Sequence, residues 1–295
     1  MPSSQSDSIA SNERLTLVIP ELQEVSLTQI GVPSGVSIAP NDQNLKLAKE
    51  FAQSLRIHES DIQEPQSPHH SSSKITAPQS AELSFGAPQI DLALPAGTMS
   101  ANGLHEINPL RHRDQKAALS FGLALAARHQ QNFNNSAIFC FLLEDEAKQN
   151  EALSPSARKA LGLTSENLII ITAKQSDDLL WAIEEALEAA DASSIVCHLP
   201  LLNDLEKQRL NFLASSNSIP TILVCNHNSS DQLYSLSSWT LRQNDEVTEN
   251  FEIPTATLTL RDCKSQLPKM SWSVRWENAR NKFQAVSTET GKTIH

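Results

Sequence analysis

The chain has 295 residues, 39% of them hydrophobic and 19% charged, with a net charge of -11. One full domain with extra segments, or two small domains, fits this length. The low apolar and charged fractions predict that part of the chain is disordered, and the acidic balance excludes a surface that coats DNA by charge alone. The charge is uneven, because residues 261–295 hold seven basic and three acidic side chains whereas residues 1–80 and 81–260 are acidic.

Residues 1–80 read as an arm, largely disordered or docking on a partner. Ser, Gln, Pro and Asn are frequent, and the run Pro65-Gln-Ser-Pro-His-His-Ser-Ser-Ser73 has linker composition. Within the arm, Leu15 to Ile19 suits a short strand. Leu45, Leu47, Ala48, Phe51, Ala52 and Leu55 recur at helical spacing. That amphipathic piece is suited either to a partner or to folding back on the core.

An α/β core is expected over residues 81–235. Leu83 to Gly97 reads as an extended segment with turn punctuation, and Gly103-Leu-His-Glu-Ile107 as a short strand. Asp114 to Arg128, rich in Ala and Leu, predicts a helix buried on most sides. Ala137 to Leu143 is a continuous apolar run, as a parallel strand covered on both faces requires. A short helix over 154–161 and a strand over 167–172 follow. Ser176 then reads as the cap of a helix whose face is lined by Leu180, Ile183, Leu187 and Ala190, with Asp177 and Asp178 in the first turn. Glu184, Glu185 and Glu188 make its polar side, either a solvated face or an acidic strip for a basic partner. Ser194 to His198 is a strand, Asn203 and Glu206 form a capping box, and Pro220 to Cys225 is the next strand.

Beyond residue 235 the apolar period becomes two. Trp239 to Arg242, Ala256 to Arg261, Trp272 to Trp276 and Phe283 to Val286 read as antiparallel strands of a C-terminal extension, residues 236–295, ending in a basic tail. The fold class expected is thus α/β: a mostly parallel sheet with flanking helices and an antiparallel extension. The four cysteines lie in apolar runs without a CxxC pair, which suits buried thiols in a reducing compartment. The start of the chain lacks a basic patch followed by an apolar stretch, and no apolar run approaches the roughly 18 residues that span a bilayer. A cytoplasmic protein away from membranes is expected.

The strand Gly103-Leu-His-Glu-Ile107 and the helix Asp178-Leu-Leu-Trp-Ala-Ile-Glu-Glu-Ala186 together resemble the RecA-like inducible mutagenesis protein A family, ImuA. The ending Trp272-Ser-Val-Arg-Trp276 with Phe283 resembles that family's C-terminal hairpin. The resemblance covers roughly residues 83–287. It implies a RecA-like core, similar in its later half to SulA-type division inhibitors, and a role in SOS-induced, error-prone translesion DNA synthesis. The partners it implies are a Y-family-like polymerase homologue and an alternative replicative polymerase subunit, with RecA and single-stranded DNA as further candidates.

An ATP-binding loop in such a core falls between the strand at Leu104 and the helix near Ala117. It needs glycines, whose backbone can curl its amides around phosphate oxygens, then a Lys and a Ser or Thr. Here the segment is Asn108-Pro-Leu-Arg-His-Arg-Asp-Gln-Lys-Ala-Ala118, without a glycine. Pro109 removes an amide donor, and Lys116 is followed by Ala117. The loop is read as a degenerate phosphate-binding loop, with Arg111, Arg113 and Lys116 as the cations of an alternative anion pocket. His198 stands where a magnesium-binding Asp is expected, and imidazole is a poor ligand for a hard cation. Glu144, Asp145 and Glu146 offer a general base or, more simply, a solvated acidic loop. Asn226-His227 departs from the Asn-Gln of RecA. No catalytic residue, cofactor or metal is expected, and the chain reads as a pseudo-ATPase accessory. The alternatives are a SulA-type division inhibitor and a weakly active DNA-dependent ATPase.

The C-terminal section interleaves Arg261, Lys264, Lys269, Arg275, Arg280 and Lys282 with Trp272, Trp276 and Phe283. Such a mixture suits single-stranded nucleic acid or a partner, rings stacking on bases and cations meeting phosphates. The other reading packs both Trp rings on the core and leaves the cations solvated. Parity puts Trp272 and Trp276 on one side of a strand and Arg275 on the other.

Overall fold

A computed structural model describes residues 15–18, 36–37, 82–131, 136–149, 153–164, 166–225, 233–244, 255–263 and 269–286. Its strands are β1 (Leu15–Val18), β2 (Val36–Ser37), β3 (Glu82–Leu83), β4 (Met99–Ser100), β5 (Leu104–Pro109), β6 (Ala137–Leu143), β7 (Leu168–Ala173), β8 (Ala192–His198), β9 (Thr221–Val224), β10 (Ser237–Gln243), β11 (Ala256–Cys263), β12 (Met270–Glu277) and β13 (Lys282–Val286). The helices are α1 (Pro88–Asp91), α2 (Gln115–Gln130), α3 (Glu144–Gln149), α4 (Pro155–Ala160), α5 (Ser176–Ala189) and α6 (Asp204–Ser216).

All strands but β3 and β4 join one sheet in the order β13-β12-β11-β10-β5-β9-β8-β6-β7-β1-β2. From β10 to β7 neighbours run parallel. The apolar runs explain this: β6, β7, β8 and β9 are covered on both faces, with almost every residue buried. On one side α2 lies across β5, β9 and β8. A Cβ at Gly122 would come within 3.1 Å of Ile222 and 3.3 Å of Val196, so a residue without a side chain lets this helix approach the sheet. On the other side α5 and α6 cover the sheet over Phe139, Phe141, Ile195 and Leu223.

The α/β class with a mostly parallel sheet and antiparallel C-terminal strands is as expected, but several details differ. Strand β10 pairs antiparallel with β11 yet parallel with β5, so it belongs to the parallel core as much as to the extension. The extension shares one hydrophobic core with α2, through Trp239, Leu241, Leu258, Val274 and Trp276. The segment after Leu83 is not wholly extended: Pro88 starts the one-turn helix α1, and Phe85 and Ile90 are buried in that core. Ser176 is the first residue of α5 and Gln175 its cap. The buried face of α5 is Leu179, Ala182, Ile183, Ala186 and Leu187; Leu180 is half-buried, and Ala190 is an exposed left-handed C-cap. The capping box of α6 forms as predicted, the Glu206 amide donating to Asn203 Oδ1 at 3.0 Å and the Asn203 amide to Glu206 Oε2 at 2.7 Å. In the arm, β1 lies where a strand is expected and pairs antiparallel with β7. The linker and the 45–55 repeat lie outside the described residues. Among the described residues no helix is long and apolar enough to cross a membrane.

Candidate functional site

Parallel α/β sheets gather ligand-binding groups at the carboxyl ends of their strands. Here that edge brings together the connection from β5 to α2, the start of α3 after β6, His198 at the end of β8, and Cys225 after β9.

The β5–α2 connection closes on itself. Pro109 pairs with Leu241 on β10, and the Leu110 amide donates to the Leu241 carbonyl at 2.8 Å. A single 3₁₀ turn, His112–Asp114, leads into α2. The side chain of Asp114 is fully buried and accepts four hydrogen bonds. The Arg111 amide and Nε donate to Oδ2 at 3.0 and 2.9 Å, and Arg111 Nη2 and the Gln243 amide donate to Oδ1 at 2.8 and 3.2 Å. Arg111 Nη2 also donates to the Gln243 carbonyl. The amides of Asp114 and Gln115 are taken by the carbonyls of Arg111 and His112. Burial alone would raise the Asp114 pKa, but the bonds from Arg111 and the Gln243 amide overcome this and hold it below the ordinary value near 3.8.

An anion pocket built on Arg111, Arg113 and Lys116 is therefore not what the geometry offers. Arg111 is held by a carboxylate of its own turn. Arg113 and Lys116 are exposed, and Ala117 is half-buried against the extension, lining a small cavity with Phe121, Leu241 and Trp276.

Several of the other polar groups at this edge pair with one another. His198 Nδ1 lies 2.8 Å from Glu146 Oε2, so Glu146 is engaged by an imidazole and the solvated-loop expectation fails for it. His198 Nε2 is buried without a hydrogen-bond partner among the described residues. Glu106 is buried in an ion pair with Lys207 of α6 at 3.0 Å. The Cys225 thiol approaches Glu106 Oε2 and Asn108 Oδ1 at 3.8 and 3.7 Å. Burial, and then the charge of Glu106, push this thiol up to about 12, so it stays protonated. All four cysteines are free and buried, as expected. Asn226 and His227 lie outside the described residues, within which no group of three or more His, Cys, Asp or Glu side chains could hold a metal ion.

Strand β5 also explains its own motif. His105 Nε2 donates to the Ser100 carbonyl at 2.7 Å, while Nδ1 accepts from the Ser237 hydroxyl at 2.7 Å, itself an acceptor for Trp239 Nε1 at 2.7 Å. The chain of bonds ties β4, β5 and β10 together. Burial pulls the His105 pKa down from 6.5 to about 4, offset only in part by the Ser100 bond. Between these values the unfolded chain binds a proton that the folded chain does not. Stability is full above pH 6.5 and falls as pH drops toward 4, by about 3 kcal/mol. Urea unfolding across this range should show that slope, and His105→Gln should flatten it; an unchanged slope in the variant would count against the assignment.

The C-terminal section does not form a stacking platform. Trp276 and Phe283 are buried with ring centroids 5.0 Å apart, Phe283 lies 4.6 Å from Phe121, and half-buried Trp272 packs at 6.2 Å from Trp239. Trp276 Nε1 donates to the Ala160 carbonyl at 3.0 Å. The rings belong to the core under α2. Arg275 is exposed on the opposite face, bonded to Gln284 at 3.4 Å. Arg280 pairs with Glu277, Lys282 is half-buried beside the same strand end, and Lys269 is exposed. Arg261 sits at a bulge, between the residues that pair with Trp239 and Ser238. Lys264 lies outside the described residues. Arg275 thus points away from the buried rings of Trp276 and Phe283, which lie in the core as the second of the two expected readings has them.

No protein-family model matches the chain, and no curated protein matches it. Function must be argued from these residues.

Proposed function

We propose that the chain is a non-catalytic RecA-like accessory protein of SOS-induced, error-prone translesion DNA synthesis, bridging a Y-family-like polymerase homologue and an alternative replicative polymerase subunit. Support comes from the sequence resemblance over residues 83–287 and from a parallel sheet extended by antiparallel strands at the β10 edge. The observation that carries the non-catalytic part is Asp114. A phosphate-binding loop presents free amides and a cation to an anion. In this chain the amides of Leu110, Arg111, Asp114 and Gln115 are already bonded, and the anion is the protein's own carboxylate.

Two measurements test the proposal. Saturating ATP with magnesium should leave the melting temperature unchanged, because a ligand at 100 times its Kd would add about 2.7 kcal/mol and move it by several degrees. A shift of that size would end the pseudo-ATPase reading. Tagged full-length chain from DNA-damaged cells should retain the polymerase homologue; its absence, with filamentous cells on overexpression, would favour a division inhibitor instead.

A further inference from the structure

Helix α6 buries Leu210 and Ala214 against the sheet but is unusual in its other side chains. It buries Lys207 and leaves Leu205 and Phe212 at 75% and 68% exposure, with Leu201 just before it at 72%. Leu205 and Phe212 lie seven residues apart, two turns or about 10 Å along one face. Beside Leu205 a groove of about 440 Å³ runs between α5 and α6, with Leu180 and Trp181 as its other apolar walls. Asp177, Glu184 and Glu206 line it too. Arg209, the groove's one cation, is spent on Glu184 at 2.9 Å. Asp177 and Glu206 remain as further carboxylates of the lining, so acids outnumber cations there.

An apolar stripe flanked by cations would complement this groove. The chain contains one. Leu45, Ala48, Phe51, Ala52 and Leu55 recur at helical spacing, and Lys46, Lys49 and Arg56 are three of the five cations in residues 1–80. Glu50 is the single acid between Leu45 and Arg56, in an arm that is otherwise acidic. The reach is sufficient. Strand β2 lies two strands outside β7, about 10 Å, and α5 packs over β7. Residues 38–44 extend up to about 24 Å and residues 57–81 up to about 85 Å, both more than the span from β2 to the strand that α5 covers. We propose that residues 45–56 dock in cis in the α5–α6 groove, their apolar stripe on Leu180, Trp181 and Leu205 and their cations toward Asp177 and Glu206.

Hydrogen exchange on the full chain, read by mass spectrometry, tests this. Amides of residues 45–56 should exchange at least about tenfold more slowly than in a free peptide of the same sequence. Leu205→Asp should abolish that protection and leave β5, β8 and β9 unchanged. Phe51→Asp, a change in the docking segment itself, should give the same loss and guards against a general effect of the first variant. Exchange at the free rate in the unmodified chain overturns the proposal. Protection that survives both variants overturns it as well, and so does protection that disappears on dilution, since the occupant would then be a second copy.

Discussion

Lys207→Met is expected to cost about 3–5 kcal/mol of folding stability, the usual penalty for stranding one member of a buried ion pair. Lys207 Nζ donates to Glu106 Oε2 at 3.0 Å, and the two side chains are only 7% and 8% exposed. Without the ammonium, the Glu106 carboxylate keeps only the weak Cys225 thiol contact among the bonds described for it. Burial alone would pull the lysine pKa down, but the charge and hydrogen bond of the Glu106 carboxylate hold it above 10.5. A base whose folded pKa is raised contributes fully below its unfolded value and loses that contribution as pH climbs through the folded one, so the pair stabilises the protein throughout the neutral range. Glu106→Leu combined with Lys207→Met removes both charges and should restore most of the loss. Chemical denaturation of the two single variants and the double gives the coupling directly. Additive losses would show that the pair is not the source of the cost.

This pair shows where sequence pattern stops being informative. The strands of the parallel core are legible because Ala137–Leu143 and Leu168–Ala173 are apolar at nearly every position, a pattern that only cover on both faces explains. Trp272 and Trp276 obey their parity, and so do the cations opposite them. Period alone misleads in α6, where Leu205 and Phe212 look like core residues and Lys207 like surface. The reason is tertiary: Glu106 sits inside the sheet and requires a cation from whichever helix crosses it. An acid between Leu104 and Ile107 in a buried strand was the available signal, but its partner is 101 residues away. Asp114 was hidden for a related reason. Its role depends on the amide of Gln243, 129 positions later, whereas the missing glycines could be read locally. Glu184 and Glu185 look solvated by composition, yet both are buried, Glu184 in an ion pair with Arg209 of α6.

Asp114→Ala should cost about 3 kcal/mol, because it takes from the amides of Arg111 and Gln243 their acceptor and from a half-buried guanidinium its carboxylate. Asp114→Asn keeps the shape and should recover part of this, since the amide oxygen can still accept while the ionic component is gone. The aspartate pKa is depressed in the folded state, so its contribution is present above pH 3.8 and lost as pH falls through the folded value. Acid unfolding of the two variants should therefore lack a component that the unmodified chain shows below that pH. The same variants probe function. Removing the internal carboxylate takes this acceptor from Arg111 and its amide, so if that carboxylate alone kept nucleotide out, Asp114→Ala would gain an ATP-dependent rise in melting temperature. None is expected. Pro109 still lacks an amide, Leu110 and Gln115 remain bonded to Leu241 and His112, and no residue from Leu104 to Phe121 has the freedom of glycine to turn further amides toward a phosphate. A titratable ATP response in this variant would show that the backbone itself still forms a phosphate site and that a single carboxylate had switched it off.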